Sequence, residues 1–130
     1  MSKKILDECL AIARKEMFKH PEKNCFMHWS FVIIKKKIIG WETNKQSCGR
    51  DIRMFGYNNP RRHKAHAELN VILKYIRKPY WDYYDIVNIR LNNIGAMRNS
   101  KPCVHCYNFI KKNHCRNIYF TTDLGFCKLL

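Results

Sequence analysis

The sequence predicts a three-layer α/β domain, with helices packed on both faces of a mixed five-stranded sheet. Segments with helical periodicity alternate with short strand-like runs, and their order along the chain is α-β-β-α-β-α-β-β. A short Asp-Leu-Gly turn joins the last two strand-like runs, so these two strands should be antiparallel. The chain has 130 residues, enough to bury a core without disulfides, and we expect residues 1–130 to form one domain.

The first three elements should be a helix and a β-hairpin. Apolar side chains between residues 4 and 20 fall on one helical stripe, and Pro21 should end that helix. Residues 26–34 alternate between apolar and other side chains, and a second strand-like run covers residues 37–43. The two lysines between these runs would form the turn. They are not the Asn-Gly pair that marks a two-residue turn most strongly, so the register of the hairpin stays open.

The rest of the chain should form two more helices and three more strands. Residues 45–64 should be a loop that is longer than compact domains usually contain. A second helix is expected to begin near Ala65, because apolar residues then recur at helical spacing, and Pro79 should close it. The remaining elements are predicted as a strand over residues 85–91, a loop over 92–101, a helix over 103–114, a strand over 117–122 and a short strand over 126–130.

Two short motifs contain the residues that are most typical of a metal site. Residues 66–68 are His-Ala-Glu, and residues 102–106 are Pro-Cys-Val-His-Cys. His66, Cys103 and Cys106 would supply one nitrogen and two sulfur ligands. A catalytic zinc ion has three protein ligands and a fourth position open to water, so we expect one Zn²⁺ per chain.

Both motifs should stand at the start of a helix. The two cysteines are three residues apart, so their thiols would share one helix face and could reach the same ion. A proline is favourable at a helix start, and the positive end of the helix dipole favours the thiolate that zinc binds. Glu68 could reach a water on the metal without binding the metal, and it would act as the base that moves protons. Zinc lowers the pKa of such a water toward ~7.

A closed structural zinc site is the alternative use of these ligands. It would need a fourth ligand, for which His63, His105 and His114 are candidates. Such a site would have no use for Glu68, although neither motif is specific by itself. The other five of the seven cysteines lack ligand spacing and should be reduced core or surface thiols; they are Cys9, Cys25, Cys48, Cys115 and Cys127.

The charge of the chain indicates a polyanionic partner. Lysine and arginine total 25 against 10 acidic residues, which gives a net charge of +15. The predicted loop over residues 45–64 has six basic residues, one acidic and two aromatic, directly before His66. Basic side chains bind phosphates and aromatic rings stack on bases, although a well-solvated basic surface is the ordinary alternative. The candidate substrate contacts in this loop are Phe55, Tyr57, Arg61 and Arg62.

The sequence shows no feature of a membrane or secreted protein. No apolar run reaches the length that spans a membrane, and the first residues lack the apolar core of a signal peptide. We therefore expect an intracellular protein without a membrane partner.

The two motifs resemble those of the cytidine and deoxycytidylate deaminase superfamily, in which an H-x-E…P-C-x-x-C pattern binds zinc. The resemblance is closest at residues 66–70, His-Ala-Glu-Leu-Asn, and at residues 100–106, Ser-Lys-Pro-Cys-Val-His-Cys. It implies a cytidine deaminase-like fold and the hydrolytic conversion of cytosine to uracil with release of ammonia. It also implies that Glu68 shuttles protons, that Asn44 contacts the sugar and that Ala67 lines the base pocket.

The resemblance leaves the substrate open, and since the superfamily includes tRNA adenosine deaminases, it also leaves open whether the base is cytosine or adenine. Free cytidine deaminases typically have Arg-Gln after the second cysteine, where this chain has Tyr107-Asn108, and polynucleotide cytosine deaminases have long C-terminal helices that this chain lacks. The charge favours cytosine in single-stranded nucleic acid as the substrate. The compact chain and its antiparallel end favour free cytidine, deoxycytidine or their monophosphates. A zinc-stabilised nucleic-acid-binding module without catalysis is the third candidate.

Overall fold

The computed structural model describes residues 1–19, 27–43, 67–76 and 83–129. Within these ranges the elements follow the predicted order, with one additional short strand. None of the helices in these ranges is long and apolar enough to cross a membrane. In chain order the elements are α1 (Lys3–Lys19), β1 (Met27–Ile34), β2 (Lys37–Thr43), α2 (Ala67–Tyr75), β3 (Asp85–Leu91), β4 (Met97–Arg98), α3 (Val104–Lys112), β5 (Asn117–Thr122) and β6 (Gly125–Lys128).

The strands form one mixed sheet in the order β2-β1-β3-β5-β6, with β4 paired to β3. β3 and β5 run parallel, whereas the other strand pairs of the described ranges are antiparallel. A parallel pair needs a crossover connection, and α3 lies in it. The predicted antiparallel arrangement of the last two strands is confirmed, with Thr122 opposite Gly125 at the turn.

The sheet has one strand more than the five predicted, because β4 forms within the expected loop over residues 92–101. Asn92 builds the turn before it: its Oδ1 accepts hydrogen bonds from the backbone N–H groups of Ile94 (3.1 Å) and Ala96 (2.9 Å). Gly95 has a φ of 86°, in the left-handed region that glycine adopts without a steric cost. A strand of two residues is too short to show an alternating pattern, so the sequence does not reveal it.

Alternate side chains of the sheet pack against different helices. In β1, Trp29, Phe31 and Ile33 belong to a core with α1, whereas Val32 and Ile34 belong to a core with α2 and α3. This alternation follows from the two-residue period of a strand. The helices therefore cover opposite faces of the sheet, and the predicted three-layer α/β architecture is confirmed.

The hairpin turn consists of Lys35 and Lys36, as predicted. Both residues have a left-handed backbone, with φ of 51° and 63°. Two positive φ angles are typical of a type I′ turn, which Asn-Gly adopts at a lower cost than two lysines. A bulge between Val32 and Ile33 interrupts the register between β1 and β2, which the sequence left open.

Candidate active site

One edge of the sheet gathers the start of β1 and the ends of β2 and β3. There Thr43 lies opposite Trp29, and His28 lies opposite Arg90. The side-chain amide of Asn70, near the start of α2, donates a hydrogen bond of 2.8 Å to the Thr43 carbonyl. The first turn of α2, which follows directly on the predicted ligand of the H-x-E motif, is therefore attached to this edge.

A buried polar network holds the segment before Cys103 to β1, β3 and β5. The Ser30 hydroxyl donates to Asn88 Oδ1 at 2.6 Å, and the Asn88 amide donates to the Ser100 carbonyl at 3.3 Å. The Ser100 hydroxyl donates to the Asn88 carbonyl at 2.9 Å and accepts from the Thr121 backbone N–H at 2.7 Å. All four residues of the network are buried, so water does not compete for these bonds. The network fixes the chain three residues before Cys103.

Replacement of Ser100 by alanine should destabilise the fold through this network. The change leaves the buried Thr121 N–H without its side-chain acceptor, and an unsatisfied buried group costs about 1–3 kcal/mol of the free energy of unfolding. Thr122→Ala is the control, because that hydroxyl donates to the Gly125 carbonyl at 3.1 Å in a partly exposed turn. Urea unfolding should show a loss for Ser100→Ala that exceeds the control's loss. Equal losses would contradict the importance of the network.

Glu68 lies in the first turn of α2, and its carboxylate is buried. The side chain is 1% exposed, and His28 Nε2 lies 3.7 Å from its Oε1 atom. Within the described ranges this Oε1 atom has no hydrogen-bond partner. A buried oxygen without a donor is costly. The arrangement therefore suits a carboxylate that binds a polar group during function. Ala67, next to it, is fully buried.

The two cysteines of the second motif stand at the start of α3. Cys103 is the N-cap and the helix begins at Val104, one residue later than predicted. The Cys103 Sγ accepts a hydrogen bond from the Cys106 backbone N–H at 3.5 Å. Cys103 is exposed, whereas Cys106 is fully buried in the core that also contains Leu69, the neighbour of Glu68. One thiol is therefore accessible from solvent and the other borders the packing between α2 and α3.

The described ranges supply two of the three predicted zinc ligands. Within them no three His, Cys, Asp or Glu side chains lie close enough to hold a metal, so neither His105 nor His114 completes a closed site with the two thiols. His63, the third candidate for a fourth ligand, lies outside the described ranges. Two thiols at a helix start, with Glu68 outside the ligand set, fit an open zinc site that takes its third ligand from elsewhere. The other predicted site residues lie outside the described ranges; they are Asn44, Phe55, Tyr57, Arg61, Arg62 and His66.

The other described cysteines are core or surface thiols, as their spacing predicts. Cys9 and Cys115 are buried, and burial raises the pKa of each thiol to about 12. Both therefore stay protonated at neutral pH, which makes them poor metal ligands. Cys127 is exposed, and no two of the cysteines within the described ranges form a disulfide with each other. Cys25 and Cys48 lie outside those ranges.

Neither His28 nor the network around Asn88 is among the residues that the sequence motifs predict for the site. Ser30 and Asn88 each lie between two apolar residues of their strands, and that pattern is a signal of a buried hydrogen-bond network. His28 gives no comparable signal, because a histidine near the start of a strand is ordinary.

Comparison with known proteins supports the interpretation of the two motifs as zinc-binding. A family model described as the cytidine and deoxycytidylate deaminase zinc-binding region matches residues 2–122. No curated protein is similar enough in sequence to count as a match. Among solved structures, the chain is similar to the dCMP deaminase from the cyanophage S-TIM5, which was crystallised in complex with dCMP and dUMP. The TM-score is 0.59 at 16% sequence identity, over 94% of this chain and 84% of the phage chain.

The structural likeness, at this low identity, shows the fold alone, whereas the family match extends over almost the whole chain. The match includes the H-x-E and P-C-x-x-C motifs and the strands that place Glu68 and the two thiols. The chain therefore belongs to the cytidine and deoxycytidylate deaminase family and is a zinc-dependent hydrolytic deaminase.

Proposed function

We propose that the chain converts cytosine to uracil with release of ammonia, with Glu68 as the proton-transferring residue. His66, Cys103 and Cys106 would hold the zinc ion. The observation that carries this proposal is the position of the Glu68 carboxylate, which is buried in the first turn of α2, two residues after the predicted ligand His66. A carboxylate at that position is available to accept a proton from a bound water.

The reaction needs one carboxylate to serve several proton transfers. When bound, zinc supplies a water of lowered pKa as the nucleophile. Glu68 accepts a proton from this water as the oxygen bonds to C4 of the base, and it delivers that proton to the ring nitrogen. It then carries a second proton from the new hydroxyl to the amino group, which leaves as ammonia when the C4–N bond breaks. Cytosine and water are thereby converted to uracil and ammonia.

The charge distribution favours cytosine in single-stranded nucleic acid as the substrate. The segment over residues 45–64 has six basic residues and one acidic residue, and it directly precedes the predicted ligand His66. Phosphates on both sides of the target base would bind to such a segment, and Phe55 and Tyr57 could stack on neighbouring bases. The net charge of +15 also exceeds what one phosphate requires.

A free nucleotide, CMP or dCMP, is the second candidate. The final strand β6 pairs antiparallel with β5, which is the arrangement typical of nucleoside-type members of the family. The similar cyanophage protein is a dCMP deaminase. A few basic side chains would be sufficient to bind one phosphate.

Turnover measured at two salt concentrations separates the two substrates. For a cytosine-containing single-stranded oligonucleotide, kcat/KM should fall about tenfold or more between 50 and 200 mM salt, because several phosphate contacts release counterions. For dCMP the fall should be about threefold or less. Deamination of dCMP alone would contradict the polymer proposal, and turnover of neither substrate by the zinc-loaded protein would contradict cytosine deamination.

A pair of double variants tests the segment that carries the polymer proposal. Arg61→Ala/Arg62→Ala should reduce oligonucleotide turnover and flatten its salt dependence. Lys35→Ala/Lys36→Ala removes the same charge at the hairpin turn, at the other end of β1 from His28, and should leave oligonucleotide turnover within about twofold of the original value. Equal effects of the two double variants would show that overall charge, and not this segment, binds the polymer.

A further inference from the structure

We propose that His28 is a positioning residue that holds one oxygen of the Glu68 carboxylate and leaves the other oxygen for proton transfer. The proposal rests on the role given to Glu68 above. It adds a residue from β1, a strand that contains neither of the two sequence motifs.

The position of His28 in the sheet directs its side chain toward α2. Trp29, the next residue, packs in the core with α1, and side chains alternate along a strand. His28 therefore projects from the face that α2 and α3 cover. Its Nε2 atom lies 3.7 Å from Glu68 Oε1, and both atoms are buried from solvent.

The burial of Glu68 makes this contact energetically important. A charged carboxylate that is 1% exposed has lost its hydration, and this loss must be offset by donors or positive charge. Among the described lysine, arginine and histidine side chains, that of His28 is the one within ion-pair distance of Glu68. The imidazole is itself 21% exposed, so one side of the ring borders the solvent-accessible part of the edge.

The geometry allows the contact to become a hydrogen bond with little movement. The separation of 3.7 Å is longer than an N–H···O bond by roughly 0.5–0.8 Å. The last torsion of a glutamate side chain has a broad energy minimum, so a small rotation of the carboxylate closes this gap. Hydrogen bonds at catalytic groups commonly tighten as the transition state forms. An Nε2–H group held on Oε1 would then fix the plane of the carboxylate and orient Oε2 toward the reacting water and ring nitrogen.

Two substitutions of similar size separate the hydrogen bond from packing. His28→Leu removes the donor, and we expect kcat to fall about 10- to 100-fold with KM within about threefold, the usual effect of losing an orienting partner. His28→Gln places an amide N–H at a similar reach and should recover kcat to within about threefold of the original value. Zinc content and melting temperature should stay close to those of the unmodified protein in both variants.

A spectroscopic measurement tests the contact independently of turnover. In the zinc-loaded protein, the ¹⁵N resonance of His28 Nε2 should show a protonated nitrogen, and Glu68→Ala should shift it. An unprotonated Nε2, a resonance that Glu68→Ala leaves unchanged, or an unaltered kcat in His28→Leu would each overturn the proposal. If Glu68→Ala instead retains more than about a tenth of the activity, the proton-transfer role proposed for Glu68 fails, while the ¹⁵N measurement still reports whether the two side chains interact.

Discussion

Replacement of Glu68 by alanine should abolish deamination while the protein stays folded and zinc-loaded. The carboxylate carries every proton that moves in the proposed reaction, and a positioned acid–base group contributes about 10²–10⁴-fold to a rate. Because Glu68 serves successive transfers, we expect a loss near the upper end of that range. The change also removes a buried carboxylate oxygen that has no hydrogen-bond partner within the described ranges. The free energy of unfolding should therefore fall much less than the activity does. Ammonia release measures the rate, zinc content measures metal binding, and the melting temperature measures stability.

Glu16→Ala is a matched control for this substitution. Glu16 belongs to α1, on the opposite face of the sheet, where its Oε1 accepts a hydrogen bond from Trp41 Nε1 at 2.9 Å. Its loss should lower stability slightly and leave the rate of ammonia release unchanged. If Glu68→Ala retains more than about a tenth of the activity, a different group moves the protons, and the assignment of Glu68 is wrong.

The architecture could be predicted from the sequence because each element has a local signal. The alternation of residues 26–34 and the helical stripe of residues 4–20 each arise within one segment. The ends of the observed elements, Met27–Ile34 and Lys3–Lys19, differ from the predicted ends by no more than one residue. The exception is β4, whose two residues pair because Asn92 builds a turn. That contact depends on one side chain and leaves no periodic pattern.

The sequence predicts only the part of the candidate site that lies within single segments of the chain. Cys103 and Cys106 are three residues apart, so a helix brings them together whatever the rest of the fold does. The contact between His28 and Glu68 joins residues that are 40 positions apart, and it depends on which strand lies beneath α2. The bond between Ser100 and Thr121 likewise depends on the end of β5 lying beside this segment. Strand order and register determine both contacts, and neither can be read from a single segment.

Cys106→Ser should abolish stable zinc binding. The serine hydroxyl is a neutral oxygen where zinc prefers a thiolate sulfur, and a site with three protein ligands cannot lose one of them without a large loss of affinity. We expect the zinc content to fall from about one ion per chain to near zero and the affinity to fall at least about 100-fold. Competition with a chromogenic chelator measures the affinity, and elemental analysis of the purified protein measures the content.

Cys115→Ser separates the loss of a ligand from the loss of a buried thiol. Cys115 is also buried, and its Sγ donates hydrogen bonds to the Asn117 carbonyl at 3.1 Å and the Tyr84 carbonyl at 3.6 Å. A serine there can make the same kind of bonds in a similar volume, so this variant shows the effect of replacing a buried thiol that is not a predicted zinc ligand. Since burial raises the pKa of the Cys115 thiol to about 12, this residue stays protonated and its replacement should leave the zinc content unchanged. Zinc loss in both variants would mean that folding, and not ligation by Cys106, controls metal binding.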